Sequence, residues 1–182
     1  MYLFPHMIET RHGEKLVFKG IEIEDGEEKV LVENFIQPGA GPAMHVHFKQ
    51  DEGLTIVKGK IGYQTLGEEP RYANAGESVT FQRGVPHRFW NAGDDLLNCI
   101  GWIKPANSIV FFLTSIYDAL NKSDTNRPEM FDGAYLVTRY RSEYDMPELP
   151  GFVKKVIMPA TVAVGKMLGK YEHFKDAPAP LR

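Results

Sequence analysis

From Lys15 to Lys104 the chain is a series of short β-prone segments, and nothing within it carries a helix-length apolar period. LVFKGIEI, KVLVENFI, MHVHF, LTIVKG, KIGYQTL, SVTF, HRFWN and LLNCIGWI are rich in Val, Ile, Thr and aromatic residues. Turn residues divide them at Asp25-Gly26, Gly39-Ala40-Gly41-Pro42, Gly67 and Gly93-Asp94. Parallel pairing would need a crossover helix between successive strands. Short, evenly spaced strands without one predict an antiparallel sandwich or barrel. At 182 residues, 43% of them hydrophobic, the chain can bury one domain-sized core.

The pattern changes after Pro105. Ile109, Phe112, Leu113, Ile116 and Leu120 fall on one helical face, with Asn107 or Ser108 as the candidate cap. A weaker helical stretch runs from about Pro128 to Tyr140, with Asp132-Gly133 arguing against a clean helix. Ala160, Ala163, Val164, Met167 and Leu168 share a third helical face, with Pro159 in its first turn and Gly169 as its stop. The expected organisation is a β-barrel unit over residues 1–105 and a helical extension over 106–182. The extension's apolar faces would cover the barrel or meet a dimer partner; a lid and a membrane-surface segment are the remaining readings.

Charge separates the same two regions. The chain has a net charge of −3, yet residues 151–182 hold six Lys/Arg and two acids, and residues 1–150 hold 15 and 22. No basic stripe with interleaved aromatics marks a nucleic-acid surface. The one cysteine, Cys99, lies in an apolar strand and excludes an intrachain disulfide. The N-terminus lacks the pattern of a secretory leader, and the longest apolar runs are too short to span a bilayer. A cytoplasmic protein is expected, with membrane contact disfavoured.

Chemistry concentrates in GPAMHVHFKQDEGLTIVKG. Residues i and i+2 of a strand share a face, so His45 and His47 project together. Glu52 follows a polar turn, and an antiparallel return would carry it back toward the pair. His87 heads a later strand, immediately after the turn Arg83-Gly84-Val85-Pro86. Three imidazoles and a carboxylate make a mixed N/O set suited to one divalent ion: Fe, Mn, Ni, Co, Cu or Zn. Strand parity places Leu54 and Ile56 with Glu52, and Phe89 with His87. With Tyr63, Phe81 and Trp102 these form a candidate apolar, aromatic substrate wall. Tyr63, Gln64 and Arg83 are the candidate polar contacts. No GxSxG, Walker-type loop or GxGxxG after a strand is present.

These residues resemble the cupin superfamily. Gly39, five residues, His45-Val46-His47, four residues, Glu52, six residues and Gly59 match its first motif at every specified position. Gly76, five residues, Gln82-Arg83-Gly84, two residues, His87, three residues and Asn91 match the second, with Gln82 standing where the motif has proline. Sixteen residues separate the motifs, a spacing similar to that of small single-domain cupins. The resemblance covers residues 30–104 and says little about the helical tail. It implies a double-stranded β-helix (jelly-roll) barrel holding one metal ion through His45, His47, Glu52 and His87. It also implies a metal-dependent, dioxygenase-like oxygenase acting on a small aromatic or enolic molecule, with Glu52 a possible base. The alternatives are a metal-dependent isomerase or decarboxylase, and a non-catalytic binding or sensor module. A homodimer is expected.

Overall fold

The computed structural model describes residues 2–181. Ten strands precede the helices: β1 His6–Glu9, β2 Glu14–Glu24, β3 Glu27–Ile36, β4 Val46–His47, β5 Asp51–Lys58, β6 Lys60–Thr65, β7 Arg71–Asn74, β8 Ser78–Phe81, β9 His87–Asn91 and β10 Leu97–Lys104. They build a six-stranded sheet in the order β1-β2-β3-β10-β5-β8 and a three-stranded sheet in the order β7-β6-β9. Every pairing in both sheets is antiparallel. The fold is an antiparallel jelly roll, mostly strands with helices at the C-terminal end. The β2–β3 hairpin closes through Asp25 and Gly26, both at positive φ (53° and 81°), the geometry a two-residue turn requires.

Period-two burial decides which way each strand faces. In β3 the buried residues are Val30, Val32, Asn34 and Ile36. This inner face of the large sheet carries two cores end to end. One lies between the sheets and gathers Ile36, Leu54, Ile56, Ile61, Val79, Phe81, Phe89, Leu97 and Cys99. The other lies between the large sheet and the helices. It gathers Leu16, Phe18, Val30, Val32 and Ile103 from strands, and Ile109, Val110, Leu136, Tyr140 and Tyr144 from the tail.

The helices are α1 Ile109–Asn121, α2 Met130–Arg139 and α3 Met158–Met167, the last entered directly from a π-helical turn at Val153–Ile157. Ser108 sits at the N-cap of α1 but makes no capping bond; its hydroxyl donates to Glu143 instead (2.9 Å). The fully buried side of α1 is Ile109, Val110, Tyr117 and Ala119, while Phe112, Leu113, Ile116 and Leu120 are only partly covered. The apolar period locates the helix and a packed face, since Ile109 is in the helical core and Phe112, Leu113 and Ile116 pack against it, but burial extends beyond that stripe to Val110, Tyr117 and Ala119. Helix α2 forms through Asp132-Gly133: Glu129 caps it by accepting from the Asp132 backbone N–H (2.9 Å), and Gly133 packs against Pro128. A short strand β11, Tyr144–Asp145, returns to pair with β4.

Candidate metal centre

The four candidate ligands come from opposite walls of the barrel. His45 and His87 face each other across a two-bond bridge, His45 N–H to His87 O at 2.9 Å and His87 N–H to His45 O at 2.8 Å. His47 lies two residues on from His45, in β4. Glu52 projects from β5 of the large sheet, opposite Ile103 on one side and Phe81 on the other. One potential donor atom from each of His45, His47, Glu52 and His87 falls in a cluster within 4.8 Å of one another. His47, Glu52 and His87 are buried, and His45 is partly exposed.

Backbone carbonyls fix two of the rings. His45 Nδ1 lies 2.8 Å from Ala43 O and His87 Nδ1 lies 2.9 Å from Val85 O. Each nitrogen can only donate to its carbonyl, so in a neutral ring Nε2 is the atom that carries the lone pair. Phe81 stacks on His87 at 4.1 Å with planes 4° apart, a consequence of the Glu52–Phe81 cross-strand register. Tyr144 meets the His47 ring edge-on at 5.5 Å.

The electrostatics leave the donors in ligand form. Burial pulls His45 down to about 4, helped by the neighbouring His87. Burial likewise pulls His47 down to about 3, with His45 adding to it. Burial pushes the Glu52 carboxyl up, but the His87 contact (3.4 Å) and the His47 and His45 rings more than offset it, so it sits below its ordinary value. Near neutral pH the site therefore presents neutral His45 and His47 imidazoles beside a carboxylate, the protonation states a divalent ion needs. His47 Nδ1 is buried without a hydrogen-bond partner among the described residues, and a buried imidazole nitrogen left bare is costly. Donor types, proximity and this orphaned atom all fit a bound divalent ion.

The proposed substrate wall divides. Leu54, Ile56, Phe81 and Phe89 are buried in the core between the sheets, and Tyr63 packs at its edge, 6.2 Å from Phe81. Trp102 does not join them. It points away from the interior and covers Gly53 on the outer face, with Lys29 over its ring. Its parity is that of Ile100 and Lys104, opposite to Cys99 and Ile103, so the outer position follows from the pleat. Gln64 and Arg83 are also engaged elsewhere: Gln64 accepts from Arg88, and Arg83 pairs with Asp51 (2.6 Å). Asn91 is a structural residue that ties Ile36 O, Asp95 O and Gly93 N–H together.

Sequence spacing did not reveal what the tail brings to the site. Tyr144 pairs with His47 across β11 and β4. Its hydroxyl accepts from Gln50 Nε2 (3.0 Å) and lies 3.1 Å from Ser108 Oγ, which donates to Glu143. Since Ser108 spends its proton on Glu143, Tyr144 donates to Ser108. Glu143 also accepts from the Leu181 backbone N–H (3.0 Å), which links the end of the described chain to the ring beside His47. Ninety-six residues lie between His47 and Tyr144, and no motif spans them.

Residues 34–101 match the family model described as the cupin domain. Among solved structures the chain is similar to an uncharacterized conserved protein with a double-stranded β-helix domain from Klebsiella pneumoniae subsp. pneumoniae MGH 78578, at 19% identity over 54% of this chain and 83% of that one, TM-score 0.47. KdgF from Halomonas sp. is similar at 17% identity over 58% and 92%, TM-score 0.49. Oxalate decarboxylase from Bacillus subtilis is similar at 20% identity over 54% and 27%, TM-score 0.45. No curated protein matches the chain.

Proposed function

Residues 34–101 belong to the cupin superfamily, and from that premise we propose that the chain is a metal-dependent, dioxygenase-like oxygenase acting on a small aromatic or enolic molecule. His45, His47, Glu52 and His87 hold one divalent ion. When bound, the ion supplies a Lewis acid and, if it is redox-active, a route for electrons.

The observation that carries this reading is the convergence of three imidazoles and one carboxylate, all able to donate within 4.8 Å, beside an apolar interior. The chain's own residues then have definite tasks. The Ala43 and Val85 carbonyls aim the His45 and His87 rings. Phe81 holds His87 flat against the core. Leu54, Ile56 and Phe89 keep water from the inner side of the site. Glu52, ionised and within reach of His87, can take the proton of an enolic hydroxyl. His45 is the ligand open to solvent and marks the side of approach. A small substrate without phosphate or paired carboxylates is supported by Arg83 being ion-paired with Asp51 and Arg88 hydrogen-bonded to Gln64.

Elemental analysis of the purified protein, followed by turnover of flavonols and other enediols under air and under argon, tests the reading. One equivalent of a redox-active ion and product only under air are expected. Turnover that continues unchanged under argon would overturn the oxygenase and favour a non-oxidative isomerase or decarboxylase.

A further inference from the structure

The third apolar helical face of the tail does not cover the barrel; it is turned to solvent. Ala160, Ala163, Val164, Met167 and Leu168 are all exposed, Met167 at 86%. The stripe extends N-terminally through the π-helical turn, where Val156, Ile157 and Phe152 are exposed, Phe152 at 65%. Val156, Ala160, Val164 and Met167 keep the i, i+4, i+8, i+11 rhythm of one helical surface. The opposite side is the packed one: Gly165 is buried under the Tyr171 ring, where a Cβ would collide. Over residues 151–167, a helix of roughly 25 Å, the apolar side thus faces away from the protein.

Charge indicates what covers it. Residues 149–171 contain four lysines and no acid, within a chain of net charge −3. Lys154 is paired with Asp145. Lys155, Lys166 and Lys170 are exposed and meet no carboxylate within ion-pair distance among the described residues. A second copy of this face would bring it four more lysines and, from residues 149–171, no acid to complement them. An anionic lipid surface accepts both features, since apolar side chains enter the headgroup region while lysines meet phosphates. No helix of the described residues is long and apolar enough to cross a membrane; a surface contact needs none.

We propose that the exposed face of helix 151–167 docks the protein on an anionic membrane surface. This stands apart from the metal-site reading and uses none of its residues. The test is sedimentation of the full chain with phosphatidylcholine vesicles, pure or containing about 30 mol % phosphatidylglycerol. Binding at least about tenfold stronger to the anionic vesicles is expected, falling as NaCl rises from about 0.1 to about 0.5 M. Lys166→Glu should weaken it about fivefold or more. Met167→Glu should weaken it further while leaving the melting temperature unchanged, since that side chain makes little contact with the fold. Equal sedimentation with both vesicle types would overturn the proposal. So would a dimer, seen by light scattering, that Met167→Glu dissociates, because the face would then be a self-interface.

Discussion

Leu54 and Ile103 stand on neighbouring strands of one sheet, on the same face, yet they serve different cores. Leu54 packs against the three-stranded sheet, inside the barrel. Ile103 packs against helices that follow the barrel in sequence. Glu52 lies at the seam, two residues from Leu54 in β5 and paired with Ile103 in β10. The barrel half is closed by strands whose registers place each side chain. The helical half is closed by a tail whose contacts span as many as 113 residues. The metal centre therefore has one wall built locally and one built at long range, and the second reaches it through Tyr144.

If the two halves are one cooperative unit, the largest perturbation should show it. Leu136→Ala, in the helical core and fully buried, should cost about 2–5 kcal/mol. Tryptophan fluorescence from Trp90 and Trp102, both in strands, should shift its denaturation midpoint together with the helical circular dichroism signal. Two separate midpoints would show that the cores unfold independently.

Within the barrel half, His87→Ala should weaken divalent-ion binding by at least ~100-fold in calorimetry, because it removes a donor and leaves Glu52 without its closest partner. Binding within a few-fold of the unaltered protein would remove His87 from the ligand set.

Acid should act on the seam. His45 and His47 titrate near 4 and near 3 in the folded protein and near 6.5 when unfolded, so the unfolded chain binds the extra protons. The stability these rings contribute is full above about 6.5 and is lost as pH falls toward 4 and then 3. Glu52, depressed below its ordinary value, works in the same direction near its own titration. Between pH 7 and pH 5.5 the metal-free protein should lose roughly 1 kcal/mol per ring, seen as a falling melting temperature. A melting temperature that stays level across that range would show the rings to be solvated.

The smallest effect expected is the most diagnostic of the long-range wall. Tyr144→Phe keeps the ring against His47 and removes the hydroxyl between Gln50 and Ser108, leaving Gln50 Nε2 short of its acceptor. About 1–2 kcal/mol should be lost, with metal affinity lowered by up to about tenfold. Affinity and stability both unchanged would mean that the tail supports the site by shape alone.

Legibility followed the same division. The pairing of His45 with His47 could be read from a local rule, the i, i+2 pair in a strand; that Glu52 and His87 join them was implied by the resemblance to the cupin motifs, since these residues come from opposite walls of the barrel. Leu54, Ile56 and Phe89 followed by parity from them. Trp102 was misplaced because it was grouped by its aromatic character, and parity along β10 puts it outside. The stripe of α1 packs against the helical core, although burial spreads beyond it to Val110, Tyr117 and Ala119, and the stripe of α3 faces solvent. A helical period shows that a face is apolar, but not which surface will meet it.

Most of the short strands, the turns at Asp25-Gly26 and before His87, and the shared face of His45 and His47 were thus written in the chain itself, since steric and pleat constraints act between residues close in sequence; β1 and β7 escaped the pattern, and Glu52 and His87 reach the pair only through the barrel. The packing of the tail along the inner face of the large sheet, the chain from Leu181 through Glu143 and Ser108 to Tyr144, and the solvent-facing apolar surface of residues 151–167 were decided only by the folded structure. Those contacts join segments with no shared local geometry, and side-chain packing alone selects among the ways they could meet.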